Sequence, residues 1–289
     1  MGKLLIVADR IKKGDIAVRR GLNLASKLGC GVDVVAFCYT SMKPLRLKGA
    51  QRQQIKRDLI ARRTDEVQAQ IDKFSAAGQK VSLLVVWEKD IVPWIIKRCA
   101  RPYEALVKTG HRSETFVYTS TDWQLLRECP RPVLIVSGKK WQRTKPILAS
   151  VDLASKEPEK IALNHSVIAI AKTYATALNA PLLIITAIEV PGVFADMGLI
   201  EPGPYVKEIK ADLRPVVKEL AEAHELPVSA FRIKRGPVEK VISSEAAKER
   251  AQLLVMGTVG RRGVQARLLG NTAEKVLRYI RTDVLAMKS

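Results

Sequence analysis

The sequence predicts an α/β fold made of two tandem doubly wound domains, each a five-stranded parallel sheet flanked by helices. Three observations lead to this prediction. Short apolar runs alternate with helix-like segments along all 289 residues. Many of the runs are rich in Val, Ile and Leu without strict alternation, which is typical of strands covered on both faces. The pattern is also written twice, and each copy is long enough for a domain of ordinary size.

The first half holds five apolar runs bounded by turn residues, which is the signal of strands. The runs are KLLIVAD (3–9), VDVVAFCY (32–39), KVSLLVVW (80–87), YEALVKT (103–109) and PVLIVSG (132–138). Helical patterns fill the intervals at 15–28, 48–77, 91–100 and 120–129. This alternation of strands and helices predicts a parallel sheet with helices on both faces.

The second half repeats the same arrangement. Its strand-like runs are KPILASVD (145–152), PLLIITAI (181–188), VSAFRIKR (228–235), AQLLVMG (251–257) and DVLAMK (283–288). Its helical segments lie at 160–178, 204–224, 238–249 and 271–280. We therefore expect the second half to fold as the first does.

The two halves also match in detail. STDWQLLRECPRPVLIV (120–136) aligns with NTAEKVLRYIRTDVLAM (271–287) without a gap, and Asp9 and Asp152 both close the first strand of their half. A repeat of this length is a complete domain rather than a solenoid unit. We expect domains at 1–141 and 142–289, joined by a short basic linker.

The charge of the chain is strongly positive and uneven. The formal net charge is +20 and the pI is near 10.0. Residues 1–144 hold 28 Lys and Arg against 13 Asp and Glu, an excess of 15, whereas residues 145–289 hold 21 against 16, an excess of 5. Such a balance is typical of proteins that meet a polyanion.

The compartment is predicted from cysteine usage and hydropathy. The four cysteines form no C-x-x-C pair, so we expect reduced thiols in a cytoplasmic protein. No apolar run approaches the roughly 18 residues that a membrane span needs.

Three glycines of the second half bound one loop between a strand and a helix. Gly257, Gly260 and Gly270 have the spacing G-x2-G-x9-G. Glycines expose backbone N–H groups, and the following helix would add the positive end of its dipole, so the loop could hold a phosphate chain. The alternative is a capped turn without a ligand, in which Asn271 caps the helix and Glu274 completes a capping box.

These residues resemble the universal stress protein family, and in particular its tandem-domain E subfamily. Three strings carry the resemblance: TDWQLLRECPRPV (121–133), VDLASKEP (151–158) and the segment from GTVGRRG to LLGNTAE (257–274). The resemblance covers both halves of the chain. It implies a stress-response protein of regulatory or binding type whose second domain binds ATP.

The resemblance also implies which residues surround the nucleotide. They are Asp152, Ala187, Ile188, Met256, Gly257, Gly260, Gly270, Asn271 and Thr272. Asn271 stands where the family has Ser or Thr. No metal is expected beyond a nucleotide-associated Mg²⁺.

The first half has a degenerate version of this loop. Gly110 is present, but Ser113 and Thr119 stand where the second and third glycines would be. We therefore expect no ATP there, and we interpret His111 and Arg112 as exposed loop residues.

Two other segments suggest binding surfaces. The segment 46–63 carries Arg46, Lys48, Arg52, Lys56, Arg57, Arg62 and Arg63. It is either a solvated helix face or a contact for nucleic-acid phosphates. The segment 189–205 is rich in Pro and Gly and could cover an apolar crevice near 193–200, with Phe194, Met197, Leu199 and Ile200, or be an ordinary surface loop.

The sequence shows no recognisable set of catalytic residues, because His111, His165 and His224 have no evident nucleophile or carboxylate partner. A slow ATPase is the remaining enzymatic alternative. In the resembling family, subunits pair through their last strands, so we expect the two halves to pair through 132–138 and 283–288. A homodimer of the whole chain also stays open.

Overall fold

We analysed a computed structural model of the chain. The structure describes residues 2–10, 14–43, 48–110, 120–138, 141–190, 193, 197–258 and 270–288. These residues divide into two compact units, one within 2–138 and the other within 141–288. The boundary predicted between residues 141 and 142 stays a prediction.

The first unit is a parallel sheet with helices between its strands. Its strands are β1 (Lys3–Val7), β2 (Gly31–Cys38), β3 (Val81–Trp87), β4 (Tyr103–Thr109) and β5 (Val133–Val136). Its helices are α1 (Ile16–Leu28), α2 (Gly49–Phe74), α3 (Ile91–Cys99) and α4 (Ser120–Glu128). The strand order is β3-β2-β1-β4-β5, with parallel pairing at each step.

The second unit has the same plan. Its strands are β6 (Ile147–Ser150), β7 (Leu182–Ile188), β8 (Phe231–Arg235), β9 (Leu253–Gly257) and β10 (Asp283–Met287). Its helices are α5 (Pro158–Leu178), α6 (Pro202–Ala223), α7 (Val238–Lys248) and α8 (Asn271–Tyr279). The order is β8-β7-β6-β9-β10, again parallel. The predicted fold class is confirmed, and the strand predicted at 228–235 begins only at Phe231, after a 3₁₀ turn over Val228–Ala230.

The strands beside the strand-order reversal are covered on both faces, as the apolar runs predicted. Leu4, Leu5 and Ile6 of β1 are almost wholly buried, and the first four residues of β9 are buried. Each such side chain contributes about 1.5–3 kcal/mol when it leaves water. The outermost strand of the first unit's order, β3, is less buried. Exposed and half-buried positions alternate over its first residues, and Leu84 is 44% exposed.

No helix in the described part of the chain is long and apolar enough to cross a membrane.

A buried carboxylate ties the amino-terminal edge of the first sheet together. Asp33 Oδ1 accepts hydrogen bonds from Lys3 Nζ at 2.9 Å and Ser82 Oγ at 2.8 Å. Its Oδ2 accepts from Tyr103 Oη at 2.7 Å and Arg98 Nη2 at 3.0 Å. One side chain of β2 thereby joins β1, β3, β4 and the end of α3.

Burial alone would raise the pKa of Asp33, but the hydrogen bonds from Tyr103, Lys3 and Ser82 outweigh it and hold that pKa well below its usual range. Burial and the neighbouring carboxylate raise the pKa of Tyr103 to about 12. The charged carboxylate is therefore favoured in the folded state, and its contribution to stability is present above the unfolded pKa of about 3.9 and is lost as the pH falls below it.

We expect Asp33→Asn to lower the free energy of unfolding at pH 7 by about 1–3 kcal/mol, because Lys3 and Arg98 lose their counter-ion. The difference from the wild type should shrink by about 1 kcal/mol between pH 5 and pH 3, as the unfolded wild-type carboxylate takes up its proton. Urea unfolding at several pH values measures both effects. Asp72→Asn, on the exposed face of α2, is the control and should show neither effect. A pH-independent difference between Asp33→Asn and the wild type would contradict the prediction.

Candidate functional site

The carboxyl ends of the strands in the second unit open onto a cavity of about 510 Å³. It lies where the strand order reverses, between β6 with its neighbour β7 on one side and β9 on the other. This is the place where open parallel sheets bind ligands. The volume falls within the range of roughly 300–1,000 Å³ that is usual for small-molecule sites.

Most of the residues that the sequence singled out lie together at this cavity. Seven of them line it: Asp152, Ala187, Met256, Gly257, Gly270, Asn271 and Thr272. Ile188 is not among the lining residues; it is 5% exposed, and its carbonyl accepts the Gly236 N–H at 3.0 Å. Gly260 lies outside the described residues.

Asp152 is held in place through its backbone. Asn164 Oδ1 accepts the Asp152 N–H at 3.0 Å, and Asn164 Nδ2 donates to the Asp152 carbonyl at 2.7 Å. These two hydrogen bonds attach the backbone of Asp152, just after β6, to α5. The carboxylate is exposed, and within the described ranges it has no hydrogen bond or ion pair.

Sequence reasoning missed Asn164. The residue is only 8% exposed and lies on the apolar face of α5, next to Leu163 and one turn before Val167 and Ile168. A lone amide on an otherwise apolar face is the signal that could have found it, because a buried polar group needs partners.

Gly257 is explained by packing against α5. A Cβ atom at this position would lie 2.5 Å from Leu163 Cδ2 and 2.8 Å from Leu163 Cγ. The sequence analysis assigned this glycine to a loop that could hold a phosphate chain. The close approach of Leu163 is a sufficient reason for glycine without any ligand.

The alternative in which Asn271 caps the last helix is wrong. The N-cap of α8 is Gly270, with φ −60° and ψ 140°, and no side chain caps the helix. Asn271 is the first helical residue, and the Gly270 carbonyl accepts the Glu274 N–H at 3.0 Å. Glu274 instead accepts from Arg278 Nη2 at 2.9 Å. The backbone of Gly270 is one that any residue adopts, so this glycine is not required by its conformation.

The beginning of α8 can therefore offer its N–H groups to a ligand. The first residues of a helix have N–H groups without intrahelical partners, and the helix dipole adds partial positive charge there. Asn271, Thr272 and Ala273, the first three residues of α8, all line the cavity. Together they form a place for an anionic group.

The rest of the wall is mostly apolar with a polar rim. Leu163, Val167, Ile242 and Val276 form part of the apolar surface. Lys160, on the rim, pairs with Glu157 at 3.0 Å. The cavity is thus suited to a ligand with a flat apolar part and an anionic part.

In the first unit a lysine takes the place of Met256. Val7 and Ser150 each stand two residues before the aspartate that follows the first strand. Val7 pairs with Lys108 of β4. Ser150 pairs in the same way with Met256 of β9. Lys108 therefore has the position of a residue that lines the cavity in the second unit.

The lysine is neutralised by a second replacement. The gapless match of 120–136 with 271–287 puts Asp122 at the position of Ala273. Lys108 Nζ lies 2.6 Å from Asp122 Oδ1, and the two side chains are 7% and 0% exposed. A buried ion pair thus stands where the second unit has two lining residues of its cavity.

Arg63 fills the neighbouring space above β1. The side chain is 1% exposed; it donates to the Asp9 carbonyl oxygen and, at 2.8 Å, to Glu66 Oε2. Asp9 Oδ2 in turn accepts the Ala17 N–H of α1 at 3.2 Å. Asp9, which matches Asp152, is therefore engaged within its own unit. Arg63 does not belong to the exposed basic surface in which the sequence analysis had included it.

The expected alignment of the two glycine loops is wrong by one residue. The Gly110 N–H donates to the Val136 carbonyl, and the Thr258 N–H donates to the Met287 carbonyl. Since Val136 and Met287 match in the repeat, Gly110 corresponds to Thr258, and Thr109 corresponds to Gly257. His111, Arg112, Ser113 and Thr119 lie outside the described residues.

The segment over residues 193–200 does not line the cavity in its described part. Val193, Met197 and Leu199 are 68%, 66% and 66% exposed. Phe194 lies outside the described residues. Among the residues that the structure describes, no three His, Cys, Asp or Glu side chains are grouped to hold a metal ion.

We expect Gly257→Ala to lower the free energy of unfolding by about 1–3 kcal/mol without any nucleotide present, because the new methyl group collides with Leu163. Gly203→Ala, in the first turn of α6, is the matched control, since a Cβ there meets no atom within 4 Å. Urea unfolding compares the two. If Gly257→Ala is as stable as the control, the packing explanation fails.

Comparison with known proteins agrees with this architecture. The model of the Universal stress protein family matches residues 1–137 and again residues 144–288. Universal stress protein E of Salmonella typhi is 29% identical over 99% of this chain and 93% of its own length. Universal stress protein E of Escherichia coli K12 is 28% identical over the same shares.

Solved structures share the fold over nearly the full chain. A functionally unknown protein of Pseudomonas aeruginosa PAO1 gives a TM-score of 0.73 at 24% identity, covering 99% of this chain and 92% of that one. A universal stress protein of Archaeoglobus fulgidus gives 0.69 at 22% identity, covering 99% and 98%. With its two matches to the family model, the chain belongs to the Universal stress protein family and carries two of its domains in tandem.

Proposed function

We propose that this protein is a regulatory or binding protein of the stress response that binds one ATP per chain in the cavity of the second unit. The observation that carries the proposal is the meeting of an exposed, unpaired Asp152 with the uncapped beginning of α8 across one cavity. Membership of the Universal stress protein family supports the stress-response part.

Each part of the cavity suits one part of the nucleotide. The N–H groups of the first turn of α8 would take phosphate oxygens, with Thr272 and Asn271 adding side-chain donors. The Asp152 carboxylate would accept hydrogen bonds from the ribose hydroxyl groups. The apolar wall formed by Val167, Met256 and Val276 would hold the adenine ring. A Mg²⁺ ion would enter with the triphosphate.

The first unit is proposed to bind no nucleotide. Lys108 and Asp122 fill the positions that match Met256 and Ala273, and Arg63 lies beside Asp9. Separating the two members of a buried ion pair costs about 3–5 kcal/mol. A ligand that displaced Lys108 from Asp122 would have to compensate for this free energy.

The proposed location is the cytoplasm. The four cysteines are free thiols, which is typical of a reducing compartment. We propose no catalytic role for the cavity.

Isothermal titration with MgATP tests the nucleotide site. We expect one site per chain, and about tenfold weaker binding by Asp152→Ala, since about 1.4 kcal/mol of hydrogen bonding is lost. Asn271→Ser should bind as well as the wild type or better, because a hydroxyl replaces the amide at the helix start. A bulky residue at position 260 should abolish binding.

The control for this titration is Asp212→Ala, which removes the same group from the exposed face of α6 and should leave binding unchanged. Millimolar ATP that produces no heat with the wild type would refute the proposal. Equal losses in Asp152→Ala and Asp212→Ala would show that the nucleotide binds elsewhere.

We also propose that the two halves pair through their last strands, as the sequence analysis predicted for 132–138 and 283–288. Nuclear Overhauser contacts between amide protons of β5 and β10 in deuterated full-length protein are the expected result. Contacts between amide protons of β9 and amide protons of β10, which are paired strands of the second unit, serve as the positive control. Their presence without any contact between β5 and β10 would contradict the pairing.

A further inference from the structure

An exposed aromatic pair lies beside the basic face of α2 in the first unit. Tyr39 follows β2 and Trp87 ends β3, on adjacent strands. Their ring centroids are 5.7 Å apart and the planes are inclined by 56°. Tyr39 is 46% exposed and Trp87 is half-buried. Both rings are therefore partly exposed at the surface, where they can contact a partner.

Two cations of α2 border the same rings. Lys56 Nζ lies 5.7 Å from the centroid of the Trp87 ring, and Arg52 lies one helical turn earlier on the same face. A shallow cavity of about 210 Å³ is lined by Arg52, Gln53 and Lys56 together with Tyr39 and Trp87. Rings and cations therefore form one surface, which we call the aromatic–basic cleft.

The two cations of the cleft form no ion pairs with carboxylates of the described residues. Neither Arg52 nor Lys56 has an ion pair among the residues that the structure describes. The adjacent carboxylates have other partners: Asp58 accepts from Gln54 at 2.8 Å. Glu88 Oε1 accepts the N–H groups of the two residues that follow it. The cations are thus available to an anion from solution.

The fold itself does not require this cleft. Because Val7 pairs with Val35 and Ser150 pairs with Ile185, residue 39 matches Glu189 of the second unit. The pairing of Cys38 with Trp87 and of Ile188 with Arg235 likewise matches Trp87 to Arg235. At the same two positions the second unit carries a carboxylate and a guanidinium, so the aromatic pair is particular to the first unit.

The size of the cleft indicates what it could hold. A volume of about 210 Å³ is below the range of roughly 300–1,000 Å³ in which small ligands are enclosed. An open platform of this size can take one planar ring and leave the rest of the molecule outside. It is therefore suited to one unit of a longer chain.

We propose that the aromatic–basic cleft binds single-stranded nucleic acid. One base stacks on one of the two inclined rings and contacts the other, and the neighbouring phosphates contact Arg52 and Lys56. Single strands fit because their bases are free to leave the stack, whereas those of a duplex are paired. The excess of 15 positive charges in residues 1–144 supplies the long-range attraction. This site is separate from the proposed nucleotide cavity and does not depend on it.

Fluorescence anisotropy of full-length protein with labelled 20-residue oligonucleotides, dT20 and rU20, tests the proposal. Trp87→Ala should weaken binding about tenfold, whereas Trp87→Phe should keep most of the affinity, because a flat ring remains. Arg52→Ala with Lys56→Ala should lower the slope of log affinity against log salt by about 1.4, since two phosphate contacts on a single strand are lost. The matched control is Arg57→Ala, an exposed cation of the same helix outside the cleft.

Two further oligomers separate stacking from charge alone. An abasic strand of the same length should bind wild-type protein about as weakly as dT20 binds Trp87→Ala. A 20-base-pair duplex should bind no more tightly than the abasic strand. Stronger binding of rU20 than of dT20, or the reverse, would identify the natural strand and supports the proposal either way.

The proposal is overturned if the abasic strand binds as tightly as dT20, or if Arg57→Ala lowers the salt slope as much as one of the cleft cations does. Either result would mean a diffuse attraction to the whole positive surface. No binding at 20 mM salt would overturn it as well. Circular dichroism of each variant checks that a lost affinity does not reflect lost folding.

Discussion

The reversal of strand order beside the first strand of each unit is the constraint on which the rest of the unit depends. In the second unit the chain leaves β6 toward β7 and leaves β9 toward β10, so the two connections diverge and leave a gap above these carboxyl ends. Whatever fills that gap decides what the unit can bind. Asn164 fixes one rim of the gap by satisfying both backbone groups of Asp152, and the first turn of α8 forms the opposite rim.

The two units differ in what occupies this gap. The second leaves the gap open, with a mostly apolar wall and the charged side chains of Asp152 and Lys160 at its lining. The first fills it with Arg63 and with the buried pair of Lys108 and Asp122. Burying such a pair adds little net stability compared with apolar side chains of similar volume. Its presence agrees with the proposal that the gap of the first unit holds no nucleotide.

The regular elements could be predicted because each has a strong period and clear end signals, and the strands and helices of the described residues lie close to the expected places. The errors concern contacts between distant residues. From the sequence, Arg63 looks like one more surface cation, and only the packing of α2 on β2 and β3 brings it to the Asp9 carbonyl. Asn164 likewise looks like an ordinary helical amide. The one-residue slip at Gly110 arose because glycine was matched to glycine, whereas the register of β4 is set by its pairing with β1 and β5.

The uneven charge of the two halves agrees with the difference between the open gap of the second unit and the filled gap of the first. A gap that offers backbone N–H groups of a helix can hold phosphate without side-chain cations, so the second unit needs only a small excess of positive charge. Contacts made by Arg and Lys release counter-ions and act at a distance, which suits a long polyanion met in solution. With its gap filled, the first unit has no comparable helix-end site in its described residues. The nucleic-acid site proposed for the first unit lies instead at cations and rings of its surface, such as Arg52, Lys56 and Trp87. The two proposals thus assign the nucleotide to the open gap of the second unit and the long polyanion to the charged surface of the first.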